Sequence, residues 1–170
     1  MIETEEALRE SGLAWTILRP RTFMSNAVRW APQVAAGDVV RAPWPDVPVA
    51  TVAPADIAAV AARVLVSDGH GGFDGREYAV TGPAALLPAD RVRLLGEALG
   101  RPLRYVAQPD DEARAEMSAQ MPMEYVDAFF SFFSDGTLDE SVVFPTVADV
   151  TGRAPTTFGR WAVENADRFR

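Results

Sequence analysis

A short apolar run, Trp15–Leu18, sets a strict condition on the fold of this chain. The run shows no polar alternation, and Pro20 follows close behind it. An apolar run of this kind is typical of a strand that is buried on both faces, as in a parallel sheet. Such a strand needs neighbouring strands, yet only one short segment, which is predicted as a helix over 3–11, precedes it. Where its neighbours lie is the first question that the sequence raises.

Helices and strands alternate along the rest of the chain. The predicted strands cover 13–19, 39–42, 49–52, 77–81 and 103–107. The predicted helices cover 22–36, 54–66, 88–100, 112–120, 123–133, 138–149 and 156–167, with Pro32 and Pro145 interrupting two of them. Two helices begin with Pro-Ala-Asp, which places proline and an acidic side chain in the first turn, where both are favoured. The alternation indicates an α/β architecture.

The composition limits the partners and sites that the chain can have. Its 170 residues include 16 basic and 24 acidic ones, and the net charge of −8 argues against a general nucleic-acid or anionic-membrane surface. The absence of cysteine excludes disulfides and cysteine-type zinc sites, and we expect a cytoplasmic protein. The single histidine, His70, is expected at the surface and cannot form a histidine-based metal cluster. No apolar run is long enough to span a bilayer, and the acidic N-terminal segment is no signal peptide.

Five stretches of the sequence carry a resemblance: SGLAWTILRP, VAPADIAAVAARVL, REYAVTGP, ALGRPLRY and VTGRAPTTFGRWAVENADRF. They resemble the C-terminal half of the NmrA-like proteins, which are atypical short-chain dehydrogenase/reductase relatives that bind NAD(P). The resemblance implies the C-terminal half of a Rossmann-like, doubly wound parallel sheet with a small helical cap. It divides the chain into 1–108 and 109–170 within one compact unit. The strand over Trp15–Leu18 is then a late strand of that sheet, whose neighbours belong to the nucleotide-binding half.

Two elements of a complete reductase are absent from the sequence. No G-x-x-G-x-x-G turn follows a strand, and the glycine cluster GHGGFDG precedes one. The chain has no lysine, so it lacks the tyrosine–lysine pair of typical reductases. Three interpretations stay open: a fragment of a longer enzyme, one half of a split protein, or a stand-alone module that dimerises over an exposed sheet. The expected partner is a second copy or a chain that carries the N-terminal half.

The resemblance implies a protein related to NAD(P)H-dependent oxidoreductases and truncated relative to them. A complete member would bind NADP or NAD and pass a hydride to a small carbonyl, quinone or similar acceptor. The alternative is a non-catalytic binding or regulatory module, because the chain lacks the glycine-rich turn and the lysine. Fold analogy does not choose between these hypotheses.

The candidate site residues lie after the first strand and in the helical cap. Ligands of open α/β sheets bind at the carboxyl ends of strands, and by resemblance the segment after this strand lines the nicotinamide pocket. The cofactor-binding candidates are Pro20, Arg21, Thr22 and Phe23. The substrate-pocket candidates are Asn26, Trp44, Tyr125 and Phe129. No metal ligand and no catalytic residue is assigned.

Structural roles compete with these functional ones. Pro20 could simply end the strand, and Phe23 could belong to the core. Arg19 and Arg21 are expected to pair with acidic side chains, and Asp56 is explained by its place in the first turn of a helix. Helical spacing favours a core stripe over an apolar lid for Tyr125, Phe129, Phe132 and Phe133.

Overall fold

The computed structural model describes residues 2–67 and 72–170, so the predicted surface position of His70 lies outside the described residues. Its strands are β1 (Thr16–Pro20), β2 (Val39–Ala42), β3 (Arg76–Val80) and β4 (Arg104–Ala107). Its α-helices are α1 (Ile2–Glu10), α2 (Ala31–Ala36), α3 (Pro54–Val66), α4 (Pro88–Leu99), α5 (Asp110–Ser118), α6 (Met123–Phe133), α7 (Thr146–Thr151) and α8 (Phe158–Glu164). Two 3-10 segments, Met24–Trp30 and Ala166–Phe169, complete the order.

The strands form two parallel pairs. In the first pair, β1 runs beside β3, with Ile17 opposite Glu77 and Pro20 opposite Val80. In the second pair, β2 runs beside β4. Parallel neighbours require a crossover connection, and each pair has helices between its strands in the sequence. The α/β fold with parallel, Rossmann-like strand pairing that the sequence predicts is confirmed.

The core of the described residues consists of separate apolar clusters, which include residues of the strands. The largest surrounds Met24, Trp30, Val40, Leu95 and Trp161, and a second surrounds Val52, Val60, Val80 and Val147. Helix α8 packs on α4, and α7 packs on α3, so these two C-terminal helices cover the helices of the α/β layer. Helices α5 and α6 pack on each other around a third cluster of Ala113, Val126 and Phe130.

The predicted strand over 49–52 is wrong. Val49 forms an antiparallel bridge with Leu86, while Val52 forms a parallel bridge with Phe23. Between them, the backbone N–H of Ala50 donates to the carbonyl oxygen of Glu140 at 2.7 Å. The segment therefore divides its hydrogen bonds among three different parts of the chain, which prevents a continuous ladder.

Two predicted helices begin later than the sequence pattern suggests. The predicted helix over 22–36 is a 3-10 segment followed by α2, and Pro32 stands in the first turn of α2, where its missing N–H costs nothing. The predicted helix over 138–149 is limited to α7, because Pro145 precedes its first residue as the N-cap. Residues 138–145 instead form an irregular segment, in which the N–H of Phe144 donates to the Thr81 hydroxyl at 2.8 Å.

Candidate functional site

A cleft opens just beyond the carboxyl end of β1. It has a cavity volume of about 120 Å³, and its walls come from the 3-10 segment Met24–Trp30, the loop after β2, the first turn of α4, and helices α5 and α6. Thr22 and Asn26 line it on the strand side, and Phe129 lines it on the side of α6. This is the position in which open α/β sheets bind their ligands.

Glu140 fixes the segment that leads from β1 into the cleft. Its buried carboxylate accepts a hydrogen bond from the backbone N–H of Thr22 at 2.9 Å. The same carboxylate forms an ion pair with Arg21, with an N–O distance of 3.5 Å. Arg21 therefore has the acidic partner that the sequence predicted for it, and it does not line the cleft. Glu140 is a site-supporting residue that sequence reasoning missed.

The other residues of this segment lie outside the cleft. Pro20 is the last residue of β1, and Phe23 is 39% exposed, so the interpretation of Phe23 as a core residue is wrong. Arg19 pairs with Glu5 at 2.6 Å and with Glu77 at 2.9 Å, as the sequence predicted. Of the four cofactor-binding candidates, Thr22 is the one that lines the cleft.

Trp44 anchors the aromatic wall of the cleft. Its indole N–H donates to the Ser134 hydroxyl at 2.8 Å, and its ring lies 4.7 Å from that of Phe133 and 5.4 Å from that of Phe130. Its φ of 58° is in the left-handed region, which is costly for an aromatic residue and rare outside special sites. The Trp44 indole thus contacts α6 and also lines the cleft.

The aromatic stripe of α6 divides between surface and cleft. Phe129 and Phe133 line the cleft, whereas Tyr125 is 56% exposed and Phe132 is 39% exposed, and neither of these two lines it. The core interpretation is therefore wrong for Tyr125 and Phe132. The residue of α6 that packs beneath Trp44 in the core is Phe130, which the sequence did not single out.

Two arginines, Arg29 and Arg91, line the cleft, and sequence reasoning missed both. The Arg91 guanidinium lies 5.7 Å from the ring centroid of Trp30, and its Nε atom is buried without a hydrogen-bond partner in the described structure. Burial, together with the positive charge of Arg29, lowers the pKa of Arg91 to about 10. Arg29 is an exposed residue whose Nε donates to the carbonyl oxygen of Asn26 at 3.1 Å, and partial desolvation of its guanidinium lowers its pKa.

Asp56 has a structural partner far along the sequence. Its buried carboxylate accepts hydrogen bonds from the backbone N–H of Thr156 at 2.7 Å and from the Thr156 hydroxyl at 3.1 Å. These bonds tie the first turn of α3 to the loop before α8, which agrees with the structural interpretation of Asp56. Within 2–67 and 72–170, no cluster of three or more metal-binding side chains occurs, and no helix is long and apolar enough to cross a membrane.

Two reductases are similar to this chain in sequence. No protein-family model matches the chain. The chain is 44% identical over 168 residues to a (4-alkanoyl-5-oxo-2,5-dihydrofuran-3-yl)methyl phosphate reductase of Streptomyces griseus. This match covers 98% of the chain and 58% of the reductase. It is 35% identical over 169 residues to an NAD(P)H azoreductase of Xenophilus azovorans, with the same two coverages of 98% and 58%.

Solved structures with this fold include members of the family that the sequence resembles. The NADPH-dependent quinone oxidoreductase QOR2 of Escherichia coli, solved with NADPH, matches with a TM-score of 0.75 and 25% identity over 96% of this chain and 57% of that one. NmrA, a negative transcriptional regulator solved with NAD, matches with a TM-score of 0.68 and 18% identity over 96% of this chain and 56% of that one. The resemblance to the NmrA-like family is confirmed.

The chain spans 58% of the length of its two reductase relatives. Its matches to the solved reductase and to NmrA cover similar shares, 57% and 56%. The chain is therefore shorter than the relatives with which it shares its fold.

Proposed function

We propose that this NmrA-like chain forms the nicotinamide-facing and substrate-facing part of an NAD(P)H-dependent reductase. The observation that carries the proposal is the cleft beyond the carboxyl end of β1, where Thr22 and Asn26 stand opposite an aromatic wall. Two relatives are named as reductases, and one of them is named for NAD(P)H, which supports the same conclusion. The acceptor is a small molecule that fits beside Trp44 and Phe129.

The residues of the cleft fit the nicotinamide end of such a cofactor. In the described structure, the Thr22 hydroxyl and the Asn26 carboxamide have no hydrogen-bond partner, so both can bind a polar ring substituent. The aromatic wall suits a flat ring. The sequence has no glycine-rich turn for a pyrophosphate, so these residues fit only one end of the dinucleotide. When bound, the cofactor supplies the hydride.

In this proposal, the other cofactor-binding candidates hold or flank the residues that line the cleft. Arg21 holds Glu140 in place, and Glu140 in turn holds the backbone of Thr22. Pro20 ends β1 at the edge of the cleft, and Phe23 offers an exposed ring beside it. We also propose that 1–108 supplies the cofactor side and that 109–170 covers the substrate side, because α5 and α6 lie in the second part.

Calorimetric titration of NADPH into the purified chain tests this proposal, with circular dichroism to establish that the chain is folded. We expect saturable binding that Thr22→Val and Asn26→Ala weaken. Gln120→Ala, which changes an exposed side chain outside the cleft, is the matched control and should bind like the unchanged chain. A folded chain that gives no heat with NADPH contradicts the proposal.

A second candidate function is a non-catalytic dinucleotide-binding module. The observation that favours it is the absence of lysine from the whole sequence, which leaves no tyrosine–lysine pair for proton transfer. NmrA itself is described as a negative transcriptional regulator in complex with NAD. Oxidation of bound NADPH by a benzoquinone or an azo dye supports the reductase, whereas binding without oxidation by either acceptor supports the module.

A further inference from the structure

We propose that Arg29 and Arg91 form a subsite of the cleft that binds a phosphate group carried by the substrate. The proposal rests on the proposed reductase function, because it names the kind of acceptor that the same cleft takes. A guanidinium group donates in a planar, two-pronged geometry that matches phosphate oxygens, and two of them balance the charge of a phosphate monoester.

The first support is the distribution of charge. The sequence carries 24 acidic residues, yet no aspartate or glutamate lines the cleft in the described part of the chain. Arg93, close to Arg91 on α4, pairs with Glu97 at 2.6 Å, which is the usual situation for an arginine in so acidic a protein. Arg29 and Arg91 form no ion pair among the described residues. The cleft is thus a local positive site in a negative molecule.

The second support is the unsatisfied state of Arg91. A buried polar group without a hydrogen-bond partner is costly, and a buried charge without a partner is more costly still. The Nε atom of Arg91 is in this position, and the neighbouring positive charge of Arg29 adds repulsion. An anion in the cleft would offset the unpaired charge of Arg91 through the remaining nitrogens of its guanidinium and would remove the repulsion from Arg29.

The third support is that Arg91 is held in place before any ligand arrives. Its guanidinium lies 5.7 Å from the centroid of the buried Trp30 ring, a cation–π contact that limits its rotation. Arg29 is tied to the carbonyl oxygen of Asn26 through its Nε atom, which leaves its other nitrogens for a ligand. The limited rotation of Arg91 reduces the entropy that this side chain loses on binding.

The opposite wall of the cleft defines the rest of the ligand. Met117, Phe129 and Phe133 line it and offer apolar contacts only. A molecule that satisfies both walls has a flat or apolar body and one phosphate group. The arrangement therefore selects a phosphorylated acceptor over its neutral counterpart.

Calorimetry of the purified chain with benzyl phosphate, benzyl alcohol and benzoate tests the subsite without a need for turnover. We expect benzyl phosphate to bind best, benzoate more weakly, and benzyl alcohol at least about tenfold more weakly than benzyl phosphate, since charge-assisted hydrogen bonds are lost. Arg29→Gln and Arg91→Gln should each weaken benzyl phosphate binding by about tenfold or more. Arg91→Lys should recover part of the loss, because it keeps the charge without the planar geometry. Arg93→Gln is the matched control and should leave the affinity unchanged.

Titrations of benzyl phosphate with and without NADPH distinguish this proposal from the proposed function. Benzyl phosphate that binds independently of saturating NADPH supports a substrate subsite. Benzyl phosphate that NADPH displaces competitively identifies a site for a cofactor phosphate and overturns the proposal. Phosphate binding without any NADPH binding supports the subsite and contradicts the proposed function. Equal affinity for benzyl phosphate and benzyl alcohol, or an equal loss in Arg93→Gln, overturns the subsite.

Discussion

The carboxylate of Glu140 accepts a hydrogen bond from the backbone N–H of Thr22 at 2.9 Å, although 118 positions separate the two residues. Glu140 lies in the irregular segment before α7, and Thr22 lies two residues after the end of β1 and lines the cleft. The carbonyl oxygen of Glu140 also accepts from the backbone N–H of Ala50 at 2.7 Å. One buried residue therefore joins the C-terminal part of the chain to two segments near the candidate site.

Glu140→Ala should destabilise the fold by about 2 kcal/mol, because it leaves the Thr22 N–H and the Arg21 guanidinium without their acceptor. Glu140→Gln keeps an acceptor for Thr22 but loses the ion pair, so it should cost about half as much. Urea denaturation measures both changes. Equal stability of Glu140→Ala and the unchanged chain would contradict a stabilising role for the Glu140 carboxylate.

Arg91→Met should stabilise the chain without ligand, by roughly 1 kcal/mol after the lost contact with Trp30 is allowed for. The reason is that burial lowers the pKa of Arg91 to about 10, so the charged side chain opposes folding at neutral pH. Thermal unfolding measures the effect. The control Arg93→Met changes an exposed ion pair and should shift stability by less than about 0.5 kcal/mol. A lower melting temperature for Arg91→Met would contradict the description of Arg91 as an unsatisfied charge.

Gly82→Ala should destabilise the fold by about 2–4 kcal/mol, because an added Cβ would lie 2.1 Å from the carbonyl oxygen of Thr51. That approach joins the end of β3 to the segment before α3, and backbone atoms cannot move aside cheaply. Gly159→Ala is the matched control, since its added Cβ would meet only a Leu94 methyl carbon at 3.6 Å. In the first turns of α8 it should leave stability unchanged or raise it by up to about 1 kcal/mol. Comparable losses in both variants would refute the close approach.

Asp56→Ala should cost about 1–3 kcal/mol of stability, because the N–H and hydroxyl of Thr156 lose their acceptor. A double-mutant cycle with Thr156→Val should give a coupling of roughly 1 kcal/mol. The exposed loop residue Asp135 serves as the control, and Asp135→Ala should change stability by less than about 0.5 kcal/mol. Additive effects of Asp56→Ala and Thr156→Val would contradict a direct interaction.

The sequence predicted those elements that local signals define. The Pro-Ala-Asp starts place α3 and α4 correctly, and Gly100, with a φ of 63°, ends α4 as expected. Helix α6 has the predicted bounds, and α8 lies within the predicted range 156–167, where Thr157 caps it by accepting from the N–H of Arg160 at 3.2 Å. These features depend on residues within one turn of each other, so a local pattern contains the necessary information.

The sequence did not predict the features that long-range contacts define. Nothing near Arg29 or Arg91 in the sequence distinguishes them from the other arginines, because their shared cleft forms only when α4 packs beside the 3-10 segment. The role of Glu140 could not be predicted for the same reason, since its partners Arg21 and Thr22 lie more than a hundred positions away. The prediction for Trp44 and Phe129 came from the resemblance to a family, and the structure brings the two side chains into one cleft.

The most direct test of the cleft as the nicotinamide and substrate site uses the four tryptophans of the chain as internal probes. Trp30 and Trp44 line the cleft, whereas Trp15 and Trp161 do not. Their indole N–H signals can be followed by nitrogen–proton NMR during a titration with NADPH. We expect saturable shifts of the Trp30 and Trp44 signals, with those of Trp15 and Trp161 unchanged. Shifts confined to Trp15 or Trp161, or no shift in a folded sample, would contradict this expectation.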